Sequence, residues 1–134
     1  MSIDELADNF TALDDWEDRY KYLIDLGNNL PPMEESLKTD AAKVRGCMSQ
    51  VWLVMGWDGE GRLTLAGDSD AQIVKGLIAV LFALFGGRTA AEASSLDVEE
   101  TFKRLGLDQH ISPNRRNGFF SMVEAVRGFT SRRI

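Results

Sequence analysis

Between Ile73 and Phe85 only one position, Lys75, is charged. Ile73, Leu77, Ile78, Val80, Leu81 and Leu84 fall around nearly every side of a helix, and Gly86-Gly87 ends it. A helix that is apolar nearly all round has to be enclosed by other elements. Its uninterrupted apolar core, Gly76 to Phe85, is ten residues long, where a membrane-spanning helix needs about 20. The segment is therefore read as the central, buried helix of a globular domain, starting at Ser69 or Asp70. The whole chain has 134 residues, so a single domain, 1–134, has to wrap around this one helix. A chain of that size buries roughly two thirds of the surface it exposes unfolded.

The enclosing elements can be read in order. Ser2 and Glu5 form a capping box before Ile3, Leu6, Phe10 and Leu13 at helical spacing. Asp14 or Asp15 caps a second helix with the stripe Trp16, Tyr20, Leu23 and Ile24, and Gly27 is its expected stop before Pro31-Pro32. Glu34 to Lys43 reads as loop. Val51 to Met55 is short, β-branched and aromatic; Asp58-Gly59-Glu60-Gly61 is a turn, and Arg62 to Leu65 alternates. These two runs predict an antiparallel hairpin. Capping boxes at Thr89/Glu92 and Asp97/Glu100 predict short helices near 90–95 and 98–105, the second closed by Gly106. Ser112-Pro113 opens a last helix with Phe119, Met122, Val123 and Val126 on one side.

Charge and cysteine content narrow the function classes. Fifteen basic and 21 acidic residues give a net charge of −6, which disfavours nucleic acid and anionic membranes as partners. Residues 1–67 carry 13 acidic and 6 basic groups, and residues 68–134 carry 8 and 9. Such asymmetry suits steering of a partner protein, or simply solvated faces. The acidic start Met1 to Leu6 does not resemble a signal peptide. One cysteine excludes an intrachain disulfide. A cytoplasmic protein is expected.

Few chemistries fit the residues. One Cys and one His cannot build a zinc site. Asp68-Ser69-Asp70 begins like a calcium loop but lacks its Gly and Glu, and no phosphate-binding glycine loop is present. Asp68 and Asp70 read most simply as carboxylates at a helix N-terminus. Cys47 follows Gly46 and lies four residues before the strand, downstream of Lys43 and Arg45, which favour a thiolate. Its alternatives are an inert buried thiol or a reactive one. His110, the only imidazole, is expected in a loop as a structural or surface residue. A stand-alone Cys-dependent hydrolase or oxidoreductase would need it near Cys47.

Four blocks in order carry a resemblance. Gly46-Cys47-Met48-Ser49-Gln50-Val51-Trp52, Gly67 to Ala71 with Ile73 to Ala79, and Ser112 to Gly118 resemble the SufE family of sulfur-acceptor proteins, including its CsdE branch. Trp16 to Gly27 with Leu30-Pro31 is similar to the family's first helical segment. The resemblance implies an α+β fold: a small, curved, three-stranded antiparallel sheet with helices packed against it, akin to the iron–sulfur scaffold fold. The third strand would be the short stretch near Val44. It also implies binding to a pyridoxal-phosphate cysteine desulfurase, SufS-like or CsdA-like, and stimulation of it. The sulfur would pass to Cys47 and then to an iron–sulfur scaffold or another acceptor.

By the same resemblance, Cys47 is the persulfide acceptor, Gly46, Met48, Ser49 and Gln50 form its loop, and Asp70 and Arg115 support the loop or face the partner. Plain surface roles for Asp70 and Arg115 are the alternatives. No metal or organic cofactor is expected, since the pyridoxal phosphate belongs to the desulfurase. Self-pairing into a homodimer is left open. A persulfide is easily lost to solvent thiols or oxidised, so Cys47 is expected to point into an apolar pocket and swing out when the desulfurase docks.

Overall fold

A computed structural model describes residues 2–46 and 49–133 of the chain. Cys47 and Met48 lie outside the described residues.

The expected central helix is α3 (Gln72–Phe85), and it is buried on almost every side: Leu77, Ile78, Val80, Leu81 and Phe85 have lost essentially all solvent contact. Four elements enclose it. The first are α1 (Ile3–Thr11), which inserts Leu6 and Phe10, and α2 (Trp16–Asn28), which inserts Leu23. A hairpin of β1 (Val51–Trp57) and β2 (Leu63–Ser69) covers another side. The long α7 (Pro113–Ser131) brings Phe119, Met122, Val123 and Val126 against the core. Between α3 and α7 run three short helices: α4 (Ala90–Ser94), α5 (Val98–Arg104) and α6 (Leu107–His110).

The helix starts follow the capping chemistry. Hydroxyl or carboxylate oxygens of Ser2, Asp15, Thr89, Asp97 and Ser112 each accept an N–H from the first turn that follows. At Thr89 the box is reciprocal, because the Glu92 carboxylate takes the Thr89 N–H at 2.9 Å.

Gly27 does not stop α2. It lies inside the helix, which ends one residue later and is capped by Asn29. The reason is a helix crossing. A Cβ on Gly27 would sit 2.6 Å from the Gly76 nitrogen, and one on Gly76 would sit 2.3 Å from the Leu23 carbonyl oxygen. The two glycines let the α2 and α3 backbones touch, which a backbone-stop reading of Gly27 misses. Leu13 falls just beyond α1.

The hairpin pairs antiparallel from Val51↔Ser69 to Trp57↔Leu63. Val51, Leu53, Leu63, Gly67 and Ser69 face the core, as the period of two requires. At the turn the Asp58 carboxylate accepts the N–H groups of Glu60 and Arg62, both at 2.9 Å.

Among the described residues the sheet has two strands, where three were expected. The stretch near Val44 does lie along β1, but only as a single bridge, Lys43↔Trp52. Two hydrogen bonds hold it, Val44 N–H to Val51 at 2.8 Å and Leu53 N–H to Ala42 at 2.9 Å. The preceding residues turn too tightly to extend the pairing. Residues 35–37 form a 3-10 turn, and the Lys43 N–H goes back to the Asp40 carbonyl.

Candidate functional site

The segment that carries Cys47 is gripped at both roots. On the incoming side, the bond from Val44 to Val51 fixes the chain beside β1. Gly46 then takes φ +87°, a left-handed conformation that favours glycine. There its backbone comes down on α7, so that a Cβ would lie 2.7 Å from the Ser121 hydroxyl oxygen.

On the outgoing side, both backbone groups of Gln50 are held. Its N–H donates to the Asp70 carboxylate at 3.0 Å. Its carbonyl accepts the Ser69 hydroxyl at 2.7 Å and the Asp70 N–H at 3.3 Å. Ser69 is 4% exposed, so the desolvation of its hydroxyl is offset by this bond and by the Ala71 N–H it accepts at 3.2 Å. This corrects the reading of Ser69 or Asp70 as the start of the central helix. Ala71 precedes α3, no side chain caps it, and Ser69 ends β2. The two polar side chains are turned toward the loop instead, and Asp70 is not the plain helix-terminal carboxylate that sequence position suggested.

A cleft of about 380 Å³ opens beside the outgoing root. Its floor is apolar, from Val74 and Leu77 of α3 and Phe119 and Met122 of α7. Its rim is polar: Ser49 on the loop side, and Ser112, Asn114 and Arg115 at the start of α7. Arg115 is exposed, and its N–H donates to the Ser112 hydroxyl at 3.3 Å. So Ser49, Gly46, Gln50, Asp70 and Arg115 are brought to one region. The expected burial of Cys47 in an apolar pocket, and the positions of Cys47 and Met48 within the loop, concern residues outside those described.

Electrostatics stiffen the neighbouring corner of the sheet. Asp68, on β2, lies 2.8 Å from the Lys38 ammonium and 3.3 Å from that of Lys75. Partial burial pushes the Asp68 carboxyl up, but hydrogen bonds from Lys38, the Ser69 N–H and Lys75 outweigh it and hold it below its ordinary value. The same bonds, to Asp68 and then Glu35, raise the Lys38 ammonium above its own. Lys38 also lies 5.4 Å from the ring centre of Trp52. One cation thereby ties the 35–38 turn to both strands next to the loop.

His110 is not in a loop. It ends α6, stacks on Trp16 with ring centres 3.8 Å apart, and its carbonyl accepts the Tyr20 hydroxyl. Its surroundings are the joint between α2 and α6, which is a structural setting. Sequence reasoning missed Ser121, the Ser69 hydroxyl as a clamp, and Lys38 as a tie. A period-based reading finds positions on a face, whereas all three act through partners well beyond one helical turn or one strand pair along the chain. Among the described residues no three Cys, His, Asp or Glu side chains come together as metal ligands, and no helix is long and apolar enough to cross a membrane.

Comparison with known proteins agrees with this architecture. The chain resembles in fold a hypothetical protein from Thermus thermophilus whose solution structure is known, with a TM-score of 0.79 over 98% of this chain and 97% of that one, at 17% identity. In sequence it is similar to an uncharacterized SufE-like protein of Rhizobium meliloti (strain 1021), 44% identical over 99% of this chain and 97% of the relative. A second such protein, from Rhizobium etli, is 46% identical over 94% of this chain and 87% of the relative. Residues 4–130 match the SufE family, described as an Fe-S metabolism associated domain. The α+β fold and the match over nearly the whole chain together place this protein in the SufE family.

Proposed function

We propose that this protein is a sulfur acceptor of iron–sulfur metabolism. It binds a pyridoxal-phosphate cysteine desulfurase, stimulates it, takes its persulfide sulfur onto Cys47, and relays that sulfur to an iron–sulfur scaffold or another acceptor in the cytoplasm. The observation that carries this reading is the two-point grip on the loop around the chain's one cysteine. Gly46 rests against Ser121, and Gln50 is clamped by Ser69 and Asp70, next to a cleft with an apolar floor.

The chemistry asks for little beyond this. The Cys47 thiolate attacks the terminal sulfur of the partner's Cys–S–SH. The new S–S bond forms as the partner's S–S bond breaks, and the partner's cysteine leaves as a thiolate. Cys47 then carries S–SH with its proton, and no oxidant or reductant is consumed. A free thiol of pKa about 8.5 is only a few per cent ionised at pH 7, so the anchored flanks at Gly46 and Gln50 would supply orientation, and Lys43 and Arg45, close in sequence, would favour the thiolate. A second thiol in the chain would resolve the persulfide into a disulfide, and there is none.

The test is intact-mass measurement after incubation with a cysteine desulfurase and L-cysteine. One added sulfur atom, lost in Cys47→Ser while that variant keeps the wild-type fold, is the expected result. A Cys47→Ser protein that accepted sulfur and stimulated sulfide release as well as wild type would refute the proposal. Turnover of a small substrate without any desulfurase would favour the stand-alone enzyme.

A further inference from the structure

The incoming flank of the loop has its own relief. There Arg45, Asn117, Phe120, Ser121 and Glu124 line a shallow notch of about 390 Å³. Arg45 and Arg116 are exposed, and the Arg116 guanidinium lies 5.7 Å from the ring centre of Phe120. One half-buried aromatic ring thus has the Arg116 guanidinium near its face and shares the notch with Arg45, the neighbour in sequence of Gly46. Lys43 and Arg115, also exposed, extend the positive rim around the loop.

These four cations differ from many others in the molecule. Lys38, Arg62, Lys75, Arg104 and Arg127 are each paired with a carboxylate. None of Lys43, Arg45, Arg115 and Arg116 forms an ion pair with a described carboxylate. Of two acidic groups in this region, Glu124 is offset by Arg127 at 3.6 Å, while Asp70 accepts the Gln50 N–H and keeps its charge, so the four cations outnumber it. A chain of net charge −6 therefore shows a locally positive face beside Gly46. Nucleic acid is a poor occupant, because the strongly acidic first half would repel it at longer range.

We propose that the Arg45–Phe120–Arg116 notch is a docking surface for a carboxylate-rich patch on the desulfurase. This inference rests on the sulfur-acceptor reading for the identity of the partner. Opposite charges would speed the encounter and fix its orientation, while the apolar ring supplies contact area that salt does not screen.

The probe is a purified cysteine desulfurase from the same organism with its catalytic cysteine changed to alanine, so that affinity is read without sulfur transfer. Wild-type Kd is expected to weaken about tenfold between low and high salt. At low salt, Arg45→Glu and Arg116→Glu should each weaken binding about tenfold, and Arg45→Gln by less. Arg132→Glu, with the same charge change at the C-cap of α7, about 24 Å from Arg116 along the helix axis, should stay within about twofold. Thermal melts check that each variant keeps the fold.

Unchanged affinity in both reversals, equal weakening by Arg132→Glu, or no binding by wild type would overturn the docking surface. Loss of self-association in the reversals, with desulfurase affinity unchanged, would assign the notch to a second copy and overturn it too. Sulfur uptake from an active desulfurase at saturating concentration separates the two proposals. If affinity responds as expected and Cys47 gains no sulfur, the surface stands and the relay falls. If sulfur arrives and the reversals leave Kd alone, the relay stands and the surface falls.

Discussion

Replacing Gly76 with alanine tests the helix crossing on which the whole core depends. In an exposed helix the change would help by about 1 kcal/mol, because glycine is a poor helix former. Here the new methyl would lie 2.3 Å from the Leu23 carbonyl oxygen and 2.8 Å from its carbonyl carbon. That is about 1 Å inside normal contact, and the neighbour is backbone, which cannot rotate away. The α2 and α3 axes would have to separate by a similar amount, loosening Leu23 against a helix that is almost wholly buried. Overpacking of this kind costs about 1 to 3 kcal/mol, and more where nothing yields. Net of the helical gain, a loss of about 2 kcal/mol is expected. With an unfolding entropy of about 2.1 cal/mol/K per residue, that lowers Tm by about 7 °C. Urea denaturation followed by circular dichroism measures it, with Gly128→Ala as the control. Gly128 lies in α7 with nothing within 4 Å of its would-be Cβ, so there alanine should stabilise by about 0.5 to 1 kcal/mol. If Gly76→Ala matched or exceeded the wild-type midpoint at unchanged slope, the close approach of the two helices would not be what limits this position.

Asp70→Ala removes the acceptor of the Gln50 N–H; it should cost about 1 kcal/mol of stability and change the alkylation rate of Cys47 severalfold. An unchanged rate would mean that the clamp does not set the loop. Asp68→Asn should cost about 1 to 2 kcal/mol at pH 7. Because the folded Asp68 carboxyl is held below its unfolded value, its contribution is complete above about pH 4 and disappears as pH falls through the folded pKa. The gap between variant and wild type should therefore close in acid, and a pH-independent gap in denaturation midpoints would refute the assignment. For Lys38 the sign reverses, since a raised ammonium pKa contributes below the unfolded value and is lost as pH rises through the folded one. Iodoacetamide labelling of Cys47 should be slow in the free protein and faster with a desulfurase lacking its own catalytic cysteine; labelling at the rate of an unstructured thiol without the partner would contradict a sheltered, swinging sulfur.

Local chemistry was legible in the sequence. Caps at Ser2, Asp15, Thr89, Asp97 and Ser112 depend on residues two or three positions apart, and each side chain accepts its N–H, although of the three expected boxes only Thr89/Glu92 is reciprocal. The apolar wrap of Ile73 to Phe85 announced a central helix, because a segment with no polar face has one stable place to go. The β-branched and aromatic run Val51 to Met55, the turn at Asp58 to Gly61 and the alternation in Arg62 to Leu65 announced the hairpin. Four ordered blocks announced the family.

What distant segments do to each other was decided only in three dimensions. Gly27 reads as a stop along the chain, and becomes a contact surface only when Gly76 arrives opposite it. Ser69 and Asp70 look like helix-starting residues by spacing. Gln50, 19 and 20 positions earlier, engages both: its carbonyl accepts the Ser69 hydroxyl and its N–H donates to the Asp70 carboxylate, because a buried hydroxyl must find a partner and the loop root offers one. The expected third strand shrinks to one bridge because the turn at residues 35–40 leaves only Ala42 to Val44 aligned with β1. The positive notch has no signature in the sequence at all. Arg45, Arg116 and Phe120 belong to a loop and a helix some 70 residues apart, and only the packing of Gly46 onto Ser121 brings their charges to one face.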